Sequence, residues 1–242
     1  MNEKIKKLQE LIDSSERIVF FGGAGVSTES GIKDFRSKDG LYNLHSKYGT
    51  SYEEMLSHTY FFRHTETFYE FYRDFMINTN AKPNDAHKFL AELEEKKHVT
   101  VVTQNIDGLH QMAGSKNVLE LHGSIHRNTC LSCYEHYSLE DILKMDNVPR
   151  CPKCGGLIKP DVVLYEEGLD MSVVNEAIYQ IAHADLLIIA GTSLSVYPAS
   201  GLIHYYNGKH LVVINKDPLN VESDDLLEIN EPVGQVFSQL HI

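Results

Sequence analysis

The chain has 242 residues, enough for one sizeable α/β domain or one domain with a small module. Apolar residues make up 42% and charged residues 23%, the balance of an ordinary globular protein. The formal net charge of -12 argues against a broad nucleic-acid footprint, which needs clustered Lys and Arg, and no run approaches the ~20 apolar residues of a membrane span.

The N-terminal segment is polar and lacks the apolar core of a signal peptide, so a cytoplasmic chain is expected. Residues 3–14 place Ile5, Leu8, Leu11 and Ile12 at helical spacing. Residues 17–21 read as a buried strand that empties into Gly22-Gly23-Ala24-Gly25-Val26-Ser27-Thr28. Glycines after a strand let the backbone approach a pyrophosphate, and free N–H groups supply the positive field. Gly23 and Gly25 fit the dinucleotide fingerprint, but Thr28 stands where its third glycine is expected. The block runs on through Gly31 to Asp34-Phe35-Arg36, a cluster that a plain dinucleotide turn does not need.

Residues 37–83 carry little strand signal and hold an aromatic stripe from Tyr60 to Phe75; Pro83 closes it, and a helix is expected over 85–97. Residues 99–102 form a second buried strand running into Thr103-Gln104-Asn105-Ile106-Asp107. Residues 162–165 read as a third strand, 185–190 as a fourth ending at Gly191-Thr192-Ser193, and 211–214 as a fifth ending at Asn215. Helices are expected over 172–183, after Pro198 and in the tail from Pro232. Strands alternating with helices imply a parallel sheet, and such sheets bind ligands beyond the carboxyl ends of their strands. Polar clusters follow several of these strands, which argues for one convergent pocket.

The four cysteines are Cys130, Cys133, Cys151 and Cys154, two CxxC pairs separated by 17 residues. Two such turns complete a tetrahedral thiolate shell for one zinc ion, and four protein ligands make the site structural. Asn105 and Asp107 taken alone are equally at home in a capped turn after a strand.

With these pieces in place the chain resembles the sirtuin family of NAD-dependent protein deacylases, in its bacterial, zinc-ribbon-containing form. The resemblance rests on Gly23 to Thr28, Gly31 with Asp34-Phe35-Arg36, Thr103 to His110, Leu121-His122-Gly123, the four cysteines, Pro160-Asp161-Val162-Val163, Gly191-Thr192-Ser193-Leu194 and Ile214-Asn215. It implies a Rossmann-like large domain over about 1–36, 84–123 and 161–242. A smaller lobe would combine a helical module at about 37–83 with a zinc ribbon at about 124–160. NAD and an acyl-lysine peptide would enter between them, and the acyl group would pass to the ADP-ribose of NAD with release of nicotinamide.

The resemblance also implies residue roles. His122 is the expected general base, with Asn105 holding the ribose or a nearby water. Gln104 would contact the ribose; Asp107 and the Ile106 backbone would hold the nicotinamide carboxamide. Phe35 would cover that pocket, and Arg36 would pair with phosphate or order the loop. Gly23, Ala24, Gly25 and Thr28 would line the pyrophosphate turn. Gly191, Thr192, Ser193 and Asn215 would serve the adenosine side, with a further contact near Ile229. Val162, Val163 and Tyr165 would form an edge to which the peptide adds as a β-strand.

Two departures from the family pattern stand out. Lys33 replaces the usual Pro of GIPDFR, and Tyr165-Glu166-Glu167 replaces Phe-Gly-Glu, where the extra carboxylate is expected to favour basic flanking residues. Acidic acyl groups are read elsewhere in the family by a Tyr-x-x-Arg pair. Three residues after Tyr69 and Tyr72 stand Tyr72 and Phe75, so an acetyl or longer apolar acyl group is expected over succinyl. Three rivals remain: an ADP-ribosyltransferase, a dehydrogenase, and a zinc-ribbon nucleic-acid adaptor. The dehydrogenase would want the third glycine, and the adaptor a basic surface.

Overall fold

The structure is a computed structural model that describes residues 2–33, 47–221 and 225–242. Six strands form one sheet in the order β3-β2-β1-β7-β8-β9. They are β1 (Arg17–Gly22), β2 (His98–Thr103), β3 (Val118–Glu120), β7 (Leu186–Ala190), β8 (His210–Ile214) and β9 (Leu226–Ile229), and every pairing is parallel. A second sheet of three antiparallel strands has the order β5-β4-β6, with β4 Gly123–Cys130, β5 His136–Ser138 and β6 Ile158–Val162.

The sequence of the central strands dictates a sheet covered on both faces. Along β1, Ile18 and Phe20 enter one core while Val19 and Phe21 enter the other; along β7, Leu186 and Ile188 alternate with Leu187 and Ile189 in the same way. Helices Glu3–Ser14, Asp85–Glu94 and Val233–Phe237 supply the first core, and helix Met171–Ala182 with the 3-10 segment Ala199–Tyr205 supplies the second. The order turns between β1 and β7: from β1 the chain goes to β2 on one side, and β7 lies on the other. That is the switch point where the crevice of an open parallel sheet opens.

The expected third strand is corrected by the structure. Residues 162–165 do not enter the parallel sheet; Val162 ends β6, which pairs with β4 at the edge of the small sheet. The run of apolar side chains is explained instead by the aromatic core of the helical module, where Val162 and Leu164 pack with Met55, Phe61, Phe68 and Phe71. The aromatic stripe itself is broken into helices Tyr52–Met55, His58–Arg63 and Thr65–Phe71, followed by a π-turn at Tyr72–Met76. Ser51 and Ser57 cap the first two through Glu54 N–H and Tyr60 N–H, so each short helix has its own start signal. No helix among the described residues is long and apolar enough to cross a membrane.

Behind the first core lies a pair of buried histidines. His87 and His110 are 0% and 1% exposed, their rings 4.6 Å apart, and His110 also meets Phe20 edge-on. His87 Nδ1 accepts the N–H of Asn84 in a capping box. Neither His110 nitrogen has a hydrogen-bond partner among the described residues. Burial pushes His87 down to about 4, and burial together with His87 pushes His110 well below the usual imidazole range. Both rings are therefore neutral in the fold, whereas in the unfolded chain they protonate near pH 6.5. Their contribution is fully present above pH 6.5 and is lost as pH falls from there toward 4. The melting temperature is expected to drop across that window. A His110→Leu chain, which removes both unpaired His110 nitrogens, should melt above the parent at pH 5 with a smaller gap at pH 8; calorimetric scans at the two pH values check both.

Candidate active site at the strand ends

The turn after β1 and the turn after β7 touch backbone to backbone. Gly25 N–H donates to Gly191 O at 2.7 Å, and Gly23 N–H donates to Ala190 O at 3.1 Å. A Cβ at Gly25 would sit 2.7 Å from Gly191 Cα, and one at Gly23 would sit 2.8 Å from Gly191 O. The glycines thus answer first to a protein–protein contact inside the chain, besides any phosphate they admit. Thr28 closes the same turn, its hydroxyl donating to Gly25 O at 3.0 Å.

From β2 the chain delivers Gln104, Asn105, Ile106 and Asp107 to the same place. Both hydrogens of the Asn105 amide are engaged, on Gly23 O at 3.0 Å and on Ser27 Oγ at 3.1 Å, which leaves Oδ1 as its acceptor. Ser27 Oγ donates onward to Asp107 Oδ2 at 2.7 Å, and Leu109 N–H donates to Asp107 Oδ1 at 2.9 Å. Burial pushes the Asp107 carboxyl up, only partly countered by these donors. Gln104 Nε2 donates to Thr192 Oγ1 at 3.2 Å, so the expected ribose contact is already tied to the β7 turn. Ser27 lies inside the glycine block, but no residue type or spacing there marks it as the link between Asn105 and Asp107.

His122 stands between β3 and β4. Its Nδ1 lies 2.9 Å from Gln104 O, and a carbonyl can only accept, so Nδ1 carries the proton and Nε2 is the basic nitrogen. The residue after it must be glycine. Gly123 has φ +73, and a Cβ there would lie 1.9 Å from Asp161 O, where β4 pairs with β6. Val163 N–H donates to His122 O at 3.0 Å, which ties the end of β6 to the histidine backbone.

A cavity of about 250 Å³ gathers these groups. Ala24, Gln104, Asn105, Ile106, Asp107 and His122 line it from the sheet, and Val162, Val163 and Tyr165 from the end of β6. Tyr52, Leu56, Phe75 and Met76 of the helical module add an apolar side that the sequence did not assign. Lys33 is also in the wall and is exposed. Gly23, Gly25, Thr28, Gly191, Thr192, Ser193 and Asn215 stand at the strand ends outside that wall. Asn215 is tied to Asp217 O at 2.7 Å. Ile229 is 1% exposed in the sheet core, with its carbonyl taken by Asn215 N–H at 3.1 Å. Phe35 and Arg36 lie outside the described residues.

Tyr165 is held by the helical module: its N–H donates to Leu56 O and its carbonyl accepts from His58 N–H, both at 2.9 Å. Glu166 has φ +74, the backbone that normally calls for glycine. Its carboxylate takes the N–H and hydroxyl of Thr59 at 2.8 and 2.7 Å, capping helix His58–Arg63. The extra carboxylate expected to select basic peptides is engaged by the protein itself.

The four cysteine sulfurs lie within 4.8 Å of one another, with Cys130–Cys154 at 3.5 Å and Cys133–Cys151 at 3.6 Å. Zinc–sulfur bonds of 2.3 Å require sulfur–sulfur edges of about 3.8 Å in a tetrahedron, so the cluster fits one zinc ion. All four ligand positions are cysteines, so an ion bound there would be closed to substrate.

A parallel sheet with a glycine turn at its switch point, a carbonyl-oriented histidine and a closed thiolate cluster define a nucleotide-dependent enzyme built beside a structural metal module. The Sir2 family model matches residues 23–198, and the chain belongs to the Sir2 family. It is similar to the NAD-dependent protein deacetylase of Clostridium perfringens, 56% identical over 242 residues and 99% of both chains. It is similar also to a solved Sir2–p53 peptide–NAD+ complex, with TM-score 0.84, 37% identity and coverage of 97% of this chain and 96% of that one. A Sir2 structure bound to acetylated peptide gives TM-score 0.82 and 36% identity, with 97% and 96% covered.

Removing the metal with a chelator is expected to melt the cysteine end of the β4–β5–β6 sheet, where a small cluster of Cys130, Ile142, Cys151 and Ile158 is buried, with Tyr137 and Met145 against it. Circular dichroism should show lost strand signal that returns with added zinc. A metal-free chain with unchanged melting temperature would contradict the assignment.

Proposed function

We propose that the chain is a NAD-dependent protein lysine deacetylase, transferring the acyl group of acyl-lysine to the ADP-ribose of NAD and releasing nicotinamide. The observation that carries this is His122 oriented by Gln104 O in one cavity with Asn105, Asp107 and the end of β6. NAD, when bound, supplies an electrophilic ribose carbon at its nicotinamide bond. The protein's part is to bind, orient and move one proton. His122 Nε2 accepts that proton from a ribose hydroxyl, and the Nδ1–H bond to Gln104 O steadies the imidazolium so formed. Asn105 Oδ1 accepts from the ribose or a positioned water. The Ile106 N–H, whose carbonyl partner already takes Ile125 N–H, and the buried Asp107 carboxyl hold the nicotinamide amide. The peptide lies along the side of β6 that pairs with no strand of the small sheet, near Val162 and Val163, a strand added to an edge strand. The compartment assigned by this reading is the cytoplasm, where thiols stay reduced.

Acyl choice follows from the cavity's apolar side. Arg73, the cation nearest the Tyr69–Tyr72 pair in sequence, donates its guanidinium to the carbonyls of Ile142, Met145, Asp146 and Asn147. A succinyl carboxylate among Tyr52, Leu56, Phe75 and Met76 would meet no buried cation among the described lining residues, and exposed Lys33 offers only a solvent-screened one. Succinyl-lysine turnover is expected at least ~30-fold below acetyl-lysine turnover, a gap of about 2 kcal/mol; equal rates would contradict the apolar reading.

Mass spectrometry of an acetyl-lysine peptide with and without NAD tests the reaction. Loss of the acetyl group should need NAD, and His122→Ala should slow it by roughly 10²–10⁴-fold. Transfer of ADP-ribose to protein with the acetyl group intact would favour an ADP-ribosyltransferase instead.

A further inference from the structure

One carboxylate holds the segment after β6 in shape. Glu167 Oε2 accepts the N–H of Leu164 at 2.9 Å and the ammonium of Lys159 at 3.1 Å, while Oε1 lies 2.9 Å from His58 Nδ1. The backbone N–H of Glu167 closes the same turn onto Leu164 O at 3.0 Å, so Glu167 satisfies both backbone groups of Leu164. Lys159, on β6, also donates to Val162 O at 3.0 Å and Pro160 O at 3.3 Å. Neither side chain is loose: Glu167 is 21% exposed and Lys159 14%.

Three parts of the molecule meet here. His58 belongs to the helical module, Lys159 to the cysteine-bearing sheet, and Leu164 to the backbone run that reaches His122 through the Val163 N–H. Burial pushes the Glu167 carboxyl up, but the Leu164 N–H, His58 and Lys159 outweigh it and leave the group below the usual carboxylate range, hence anionic at neutral pH. An anion with three donors from three directions fixes a backbone far better than apolar packing of the same size, because each bond is directional.

Resting on the reading of the β6 edge as the peptide site, we propose that Glu167 is a positioning residue for substrate recognition. Its carboxylate, held by Lys159 and His58, sets Leu164 and Tyr165 so that the Val163 edge is in register for an acyl-lysine peptide. Glu167 touches neither the cofactor turn nor Asn105 or Asp107 in any described hydrogen bond, so its loss should weaken the peptide and spare NAD.

The test is a comparison of KM for peptide and KM for NAD in Glu167→Ala, Glu167→Gln and Lys159→Met, each with a melting curve. Glu167→Ala is expected to raise peptide KM roughly 10–100-fold, the worth of charge-assisted hydrogen bonds, with NAD KM within about two-fold of the parent. Glu167→Gln should recover part of the loss, because its amide oxygen still accepts from Leu164. Unchanged peptide KM in all three, or peptide and NAD KM rising together with a fall in melting temperature, would overturn the role. If the alanine chain does not fold, the glutamine and Lys159→Met chains decide by the same criterion. Val163→Asp separates this proposal from the reading beneath it. No effect on peptide KM there means the peptide binds elsewhere; a raised KM there with none in the Glu167 and Lys159 variants leaves the edge intact and removes the positioning role.

Discussion

Two glycine turns pressed backbone to backbone set the position of everything else in the site. The 2.7 Å bond from Gly25 to Gly191 O is available only because neither residue carries a Cβ, since a carbon there would fall within 3 Å of the opposing main chain. This contact brings the carboxyl ends of β1 and β7 together at the point where the sheet order turns. A crevice formed this way presents bare backbone and small side chains, a surface that a phosphate-bearing ligand can approach closely.

From that contact a chain of hydrogen bonds spreads through the site. Gly23 O holds Asn105, Asn105 holds Ser27, and Ser27 holds Asp107. Gln104 spans the turns, with its amide on Thr192 and its carbonyl on His122. His122 in turn is bound through its own carbonyl to Val163, at the end of the small sheet. The polar residues therefore do two things at once: they finish the turns, and they hold one another in place along the cavity wall. This is why the family block Thr103 to His110 looks like turn chemistry and site chemistry together. Its Asp107 caps the Leu109 N–H, and its His110 is a buried core ring.

What the sequence revealed follows from what each segment buries. β1, β2, β7 and β8 are apolar on both faces and are legible without a partner. β3 and β9 are short and half-buried, with a glutamate in each, and only their neighbours make them strands. Residues 162–165 read as a strand of the main sheet because Val-Val-Leu-Tyr is apolar; nothing local tells which sheet or which core receives it. The cysteines are legible because four thiolates at CxxC spacing have few other uses. Glu167 was not legible: it is one of 34 acidic residues, and its role exists only where three separate segments meet. Glu166 was legible as a departure, but its purpose became visible only with Thr59 beside it.

The central claim is that the turns after β1, β2 and β7 and the end of β6 make a single site for NAD and an acyl-lysine peptide together. A crystal structure of the chain with both bound tests it most directly. The account predicts the pyrophosphate at the Gly23–Gly25 turn, the nicotinamide end against Asn105 and Asp107, the peptide paired with the β6 edge, and His122 Nε2 within hydrogen-bond reach of a ribose hydroxyl. NAD bound away from the β1 turn, or a peptide seated off the β6 edge with His122 turned from the ribose, would contradict it.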